Sequence, residues 1–175
     1  MNMRAAVLVS LLAGAASAQT VPEPEGFRGE PYRAPVPATL RGARVIDPAQ
    51  AMALHAQGVP FLDTLPRQKR PEGLPPGTIW NAEAHHTIPG AVWLYDTGYD
   101  RISSVEETRL SDGLARATAG DKAAPVVIFC KADCWMSWNA AKRAVAQGYT
   151  GVNWYPEGVD GWVMAGGDLV VADAP

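Results

Sequence analysis

Only two cysteines occur in the 175 residues of the chain, Cys130 and Cys134. The spacing C-x-x-x-C, with Trp135 after the second thiol, lacks the C-x-x-C-H pattern of c-type haem attachment. His85 and His86 are the only adjacent histidines. Nothing in their spacing from the cysteines demands a zinc site. Positive charge is also scarce: 15 Lys and Arg stand against 18 Asp and Glu, a net charge of −3. That balance gives no support for nucleic-acid binding, which usually shows as a basic patch. Beyond the N-terminal stretch no apolar run is long enough to span a bilayer. The absences leave a domain of ordinary size with one thiol pair to account for.

The N-terminal stretch, "MNMRAAVLVSLLAGAASAQT", has a short basic start at Arg4 and an apolar run from Ala5 to Ala16. Small residues, Ala16-Ser17-Ala18, close it before Gln19. This is the layout of a cleaved secretory signal over residues 1–18. No cysteine follows it to take a lipid anchor. The mature protein is expected in a bacterial periplasm, with no membrane span after processing. In an oxidising compartment an even cysteine count reads first as a disulfide. A bridge between residues four apart closes a very small loop and adds little global stability, because the entropic gain grows with loop length.

Residues 19–42 are rich in Pro and Gly, show no apolar period, and read as an extended arm or linker. Phe27 and Tyr32 equip that arm to lie against the domain. The domain itself is expected from 43 to 165, with 166–175 as a C-terminal tail. "RVI" (44–46) is a strand. Asp47 followed by Pro48 starts a helix, "PAQAMALHAQ", which Gly58 ends. "VPFLDTL" (59–65) is a strand, and a long proline-rich loop follows, of the length that tends to be functional. "AVWLY" (91–95) is the next strand. Ser104 with Glu107 forms a capping box for a helix over 105–118. "APVVIF" (124–129) does not alternate, so it reads as a strand buried on both faces. "SWNAAKRAVAQ" is a helix stopped at Gly148, "GVNWY" (151–155) a strand, and "PEGVDGWVMAGG" a turn or short helix. The order implies an α/β domain with a mostly parallel sheet and helices on both faces.

In such sheets the site lies at the carboxyl ends of the strands. Cys130 ends the most buried-looking strand and leads into a helix. Free amides at a helix N-terminus and the positive end of its dipole favour a thiolate there, or an anion bound beside it. Lys131 adds a nearby cation; Asp133 acts against it. Cys134 is close enough to attack an oxidised Cys130, so the pair can cycle between dithiol and disulfide or pass a sulfur atom. An inert disulfide is the competing reading. Trp135 and Trp138 share one helix face. Either both pack the helix on the sheet, or Trp135 rims a pocket over the thiol.

These stretches resemble the rhodanese-like domain. "FLDTLPR" puts Asp63 at the family's aspartate position, with Arg67 later than usual. "HTIPGA" matches the family's G-H-I-P-G-A at Ile88, Pro89, Gly90 and Ala91, with Thr87 in place of histidine. "PVVIFC" puts Cys130 at the nucleophile position. "AAKRAVAQGYTGVNWYPEGVDGW" matches the family's pattern at Gly148, Tyr149, Val152, Gly158 and Trp162. The resemblance implies a three-layer α/β fold. Its active-site loop would hold Lys131, Ala132, Asp133, Trp135 and Met136, with Asp63, Arg67 and Trp138 in support.

"DCWMSWNAAKRA" and "NWYPEGVDGW" are similar to a narrower group of exported proteins. That group is named for a C-x-x-C-W motif and associated with pyrroloquinoline quinone (PQQ)-dependent alcohol catabolism. The spacing here is one residue longer. The resemblance implies thiol, persulfide or disulfide chemistry at Cys130 with Cys134. The partner would be a sulfur carrier, a PQQ-dependent alcohol dehydrogenase or the cytochrome of that enzyme. It implies no cofactor and no metal in the domain itself. The alternative is a catalytically silent binding module with a static Cys130–Cys134 bridge. The loop is one residue longer than in typical sulfurtransferases, as in phosphatase and arsenate-reductase branches. Met136 stands where those branches place the arginine that neutralises an oxyanion, which removes the main electrostatic support for phosphatase chemistry. The loop also lacks the glycine that often lets its backbone turn.

Overall fold

A computed structural model describes residues 21–172. The expected signal segment, 1–18, lies outside the described residues. Strands are β1 (Arg44–Val45), β2 (Phe61–Asp63), β3 (His86–Thr87), β4 (Val92–Trp93), β5 (Val126–Phe129), β6 (Val152–Tyr155) and β7 (Val170–Val171). Helices are α1 (Pro48–Ala56), α2 (Ser104–Ala117), α3 (Trp135–Ala146) and α4 (Gly158–Met164). Five strands form one all-parallel sheet in the order β1-β6-β5-β2-β4. The expected α/β architecture is therefore the observed one.

The strand at the centre explains the layering. In β5, Val126 and Ile128 join one core with Leu62, Leu110, Leu114, Trp138 and Trp154, under α2 and α3. Val127 and Phe129 point the other way, into a core with Ile46, Phe61, Tyr155 and Trp162, under α1 and α4. Alternate residues of a strand face opposite sides, so a strand covered on both must be apolar throughout. Each fully buried Leu, Ile or Phe contributes roughly 1.5–3 kcal/mol by leaving water.

Local signals place most ends correctly. Asp47 caps α1: its side chain accepts from the Gln50 amide at 2.8 Å, and Gln50 Oε1 accepts from the Asp47 amide at 3.1 Å. The cap of α2 sits one residue earlier than expected. Ser103, not Ser104, is the N-cap, and its amide donates to Glu106 Oε2 at 2.6 Å. "SSVEE" offers the three-residue spacing in two registers, and the structure uses the earlier one, Ser103 with Glu106.

The arm is part of the packing. Leu40 is buried, and Val21, Tyr32, Ala34 and Val36 lie against the α3 side of the core. Asn139, buried in α3, accepts from the Arg28 amide at 2.9 Å and donates to the Arg28 carbonyl at 2.9 Å. Trp138 Nε1 donates to the Thr39 carbonyl at 3.2 Å. Residues after 165, read as a tail, supply β7. It pairs antiparallel with β3 inside the long loop, Thr87 opposite Val170.

Candidate functional site

Cys130 follows β5 directly, and Cys134 is the N-cap of α3. The two form a disulfide, with Cα atoms 6.4 Å apart. Both are buried, at 1% and 2% exposure. No glycine is present between them, and the loop turns instead at Asp133, whose φ is +50°. Aspartate is among the few side chains that tolerate this left-handed region. Gly158 supplies the second special position. Its φ is +51°, and an added Cβ there would collide with the Cys130 carbonyl.

Four polar groups of the loop backbone already have partners. The Cys130 carbonyl accepts from the Val159 amide at 3.1 Å, and the Ala132 amide donates to Asp160 Oδ2 at 2.9 Å. From the arm, the Tyr32 carbonyl accepts from the Trp135 amide at 2.9 Å. The Ala34 amide donates to the Asp133 carbonyl at 3.0 Å. The first free amide of α3, expected to favour a thiolate or a bound anion, is therefore taken by the chain's own arm.

Cys130, Cys134 and Met136 form a small buried cluster, against which Tyr32, Leu65 and Tyr99 pack. Tyr32 and Tyr99 meet edge to face at 5.3 Å. The Tyr32 hydroxyl donates to Asp100 Oδ1. Burial first, and that bond second, push the phenol up to about 12. Trp135 does not rim a pocket. It is 3% exposed, packs edge-on against Trp138 at 5.3 Å, and carries the Arg28 guanidinium 5.6 Å above its ring. Trp135 and Trp138 are thus both packing residues.

A second group lies at the carboxyl end of β2. Asp63 is fully buried. Its Oδ1 accepts from the Leu65 amide at 2.8 Å; its Oδ2 accepts from His85 Nε2 at 2.7 Å and Thr87 Oγ1 at 2.6 Å. His86 is exposed, but the His85 side chain is only 9% exposed and lies over the Trp93 ring at 4.2 Å. His85 and Thr87 are two residues apart, which in extended backbone places both side chains on one side. That period, with Asp63 at the end of β2, is the signal that could have found His85.

Arg67 stays half-exposed, 3.7 Å from Asp96 and with its guanidinium 3.9 Å over the Tyr95 ring. Arg67, His85, Trp93 and Lys131 line one open cleft of about 740 Å³ beside the loop. Neither cysteine lines it. Among the described residues no three His, Cys, Asp or Glu converge as a metal site, and no helix is long and apolar enough to cross a membrane.

A persulfide-forming cysteine needs an exposed sulfur and amides that converge on the outer sulfur atom. Here the sulfurs are bonded to each other and covered, and the Trp135 and Ala132 amides have partners within the chain.

The sequence pattern of the rhodanese-like domain family matches residues 47–165. The search of curated proteins found no match. Among solved structures, the chain is similar to the solution structure of the 30 kDa polysulfide-sulfur transferase homodimer from Wolinella succinogenes. Identity is 17% and the TM-score 0.47, over 74% of this chain and 79% of that one.

Proposed function

The chain belongs to the rhodanese-like domain family, and from that premise we propose that in its oxidised form it is an exported binding module and not a working sulfurtransferase. The observation that carries this reading is the closed cysteine pair: joined, 1% and 2% exposed, with the Trp135 amide held by the Tyr32 carbonyl and the Ala132 amide by Asp160. The stretches "DCWMSWNAAKRA" and "NWYPEGVDGW" support a role in PQQ-dependent alcohol catabolism. Its partner there is a periplasmic PQQ-dependent alcohol dehydrogenase or the cytochrome of that enzyme. The order of residues 1–18 supports export.

The deciding measurement is the redox midpoint of the pair, by equilibration in glutathione and dithiothreitol buffers. A structural bridge has a potential below about −300 mV. A midpoint well above that value removes this reading.

One observation favours a second reading. Cys130 sits at the carboxyl end of the central strand, where the family places its nucleophile. In this reading the reduced Cys130 thiolate attacks a terminal sulfane sulfur of a polysulfide, the S–S bond of the donor breaks, the shortened polysulfide leaves, and Cys130 keeps the sulfur as a persulfide. The Cys134 thiolate then attacks the Cys130 sulfur, the Cys130–Cys134 bond forms, and the outer sulfur leaves as hydrosulfide. Each turnover stops at the disulfide until an external thiol reduces it. Mass spectrometry of the reduced protein after polysulfide treatment separates the two. Added sulfur on the Cys134→Ser variant and none on Cys130→Ser supports the second reading; none on either supports the first.

A further inference from the structure

The cleft beside the loop has a chemistry of its own. It opens at the carboxyl ends of β2, β4 and β5, and its volume of about 740 Å³ falls within the range of small-molecule sites, roughly 300–1,000 Å³. Its walls are more apolar than polar, with Leu65, Val159 and Leu169 among them. Trp93 forms a flat wall, oriented by its Nε1, which donates to the Leu65 carbonyl at 2.6 Å. His85 lies on that ring and is fixed by Asp63, which takes Nε2.

Charge sets the sign of the ligand. The protein as a whole carries −3, yet the cleft gathers Arg67, Lys69 and Lys131 against two carboxylates, Glu83 and Asp96. Asp96 pairs with Arg67, and Glu83 is bound by the Gln68 side chain and its own amide's bond to Gln68 Oε1. Among the described residues neither Lys69 nor Lys131 has a carboxylate within ion-pair distance; the Lys69 ammonium rests 5.4 Å over the Tyr99 ring, a contact it would exchange for an anion in the cleft. A concave, partly apolar wall strengthens the field of such cations and draws anions to it.

We propose that this cleft binds a small aromatic carboxylate, its ring on the Trp93–His85 wall and its carboxylate held by Lys69 and Lys131. The proposal rests on the binding-module reading and names the ligand class that the module takes. No bond is made or broken, and the disulfide stays closed throughout.

The experiment uses the oxidised full-length protein after export, with 2-naphthoate as the probe and 2-naphthamide as its uncharged counterpart, by isothermal titration calorimetry. Naphthoate is expected to bind at least tenfold more tightly than naphthamide, with affinity falling as salt rises. Lys69→Met with Lys131→Met is expected to cost tenfold or more for naphthoate and to leave naphthamide unchanged. Trp93→Leu is expected to weaken both probes. The double lysine variant replaces partly or fully exposed side chains, so its fold, checked by circular dichroism, is retained. Equal binding of the two probes overturns the proposal, as does absence of naphthoate binding at millimolar concentration, or lysine variants that bind as well as wild type. Naphthoate binding by a protein whose disulfide proves labile overturns only the static-bridge reading. An inert disulfide without naphthoate binding overturns only the ligand assignment.

Discussion

Replacing Asp63 with asparagine tests the buried group that orients the cleft wall. The side chain has no exposure and accepts three hydrogen bonds, from the Leu65 amide, His85 Nε2 and Thr87 Oγ1, at 2.8, 2.7 and 2.6 Å. Asparagine keeps the shape but only one oxygen. With that oxygen at the Oδ2 position the bonds to His85 and Thr87 survive, and the new NH₂ faces the Leu65 amide, donor against donor. The opposite rotamer keeps Leu65, but the Thr87 hydroxyl must turn and the His85 ring must change tautomer before either can accept from the NH₂. The better arrangement loses one bond to a charged acceptor and strands one amide. The expected loss is about 2–6 kcal/mol, from roughly 1–3 kcal/mol for each of those terms. Urea unfolding with linear extrapolation measures it. Thr87→Val removes a single donor and leaves the other two bonds, so its cost is expected at about 1–2 kcal/mol. In the Asp63→Asn background that cost should shrink, because the two side chains share one oxygen and their effects do not add. If Asp63→Asn lies within about 0.5 kcal/mol of wild type, the bonding scheme at β2 is wrong.

Three further outcomes are expected. Reduction of the disulfide opens a covalent loop that spans a sequence separation of only 4, so stability should fall by about 2 kcal/mol; a loss above about 4 kcal/mol in urea would show that the bridge organises the whole domain. Gly98→Ala would drive a Cβ into the Met136 backbone at the start of α3, costing about 1–3 kcal/mol as overpacking. Gly26→Ala meets no atom within 4 Å and should be neutral in the same assay. Alkaline stability should track Tyr32. Its phenol is raised from 10.0 to about 12 in the folded protein, so the neutral form is favoured there. That contribution is complete below pH 10 and is lost as pH rises towards 12. Urea midpoints at pH 9 and 11 should converge more closely in Tyr32→Phe than in wild type, and an equal drop in both proteins refutes the assignment.

Local chemistry determined the elements. The Asp47-Pro48 start of α1, the unbroken apolar run of β5 and the turn into α3 are each written within a few neighbouring residues, and their short-range physics survives in the fold. The place of the thiols follows from that order, since a strand running into a helix puts Cys130 at the carboxyl edge of the sheet. Occupancy of the site was not local. The bond from the Trp135 amide to the Tyr32 carbonyl joins residues about a hundred apart, and an arm without periodicity carries no signal of where it will lie. His85 had the same difficulty. Two adjacent histidines in a proline-rich loop look solvated until β2 brings the buried Asp63 to one of them and β7 pairs with the strand that holds the next residues. Sequence alone determined which residues could do chemistry and at which edge of the sheet. The tertiary structure decided that the sulfurs are covered and the basic cleft beside them is open, because burial and hydrogen-bond partnership are settled by contacts between distant segments.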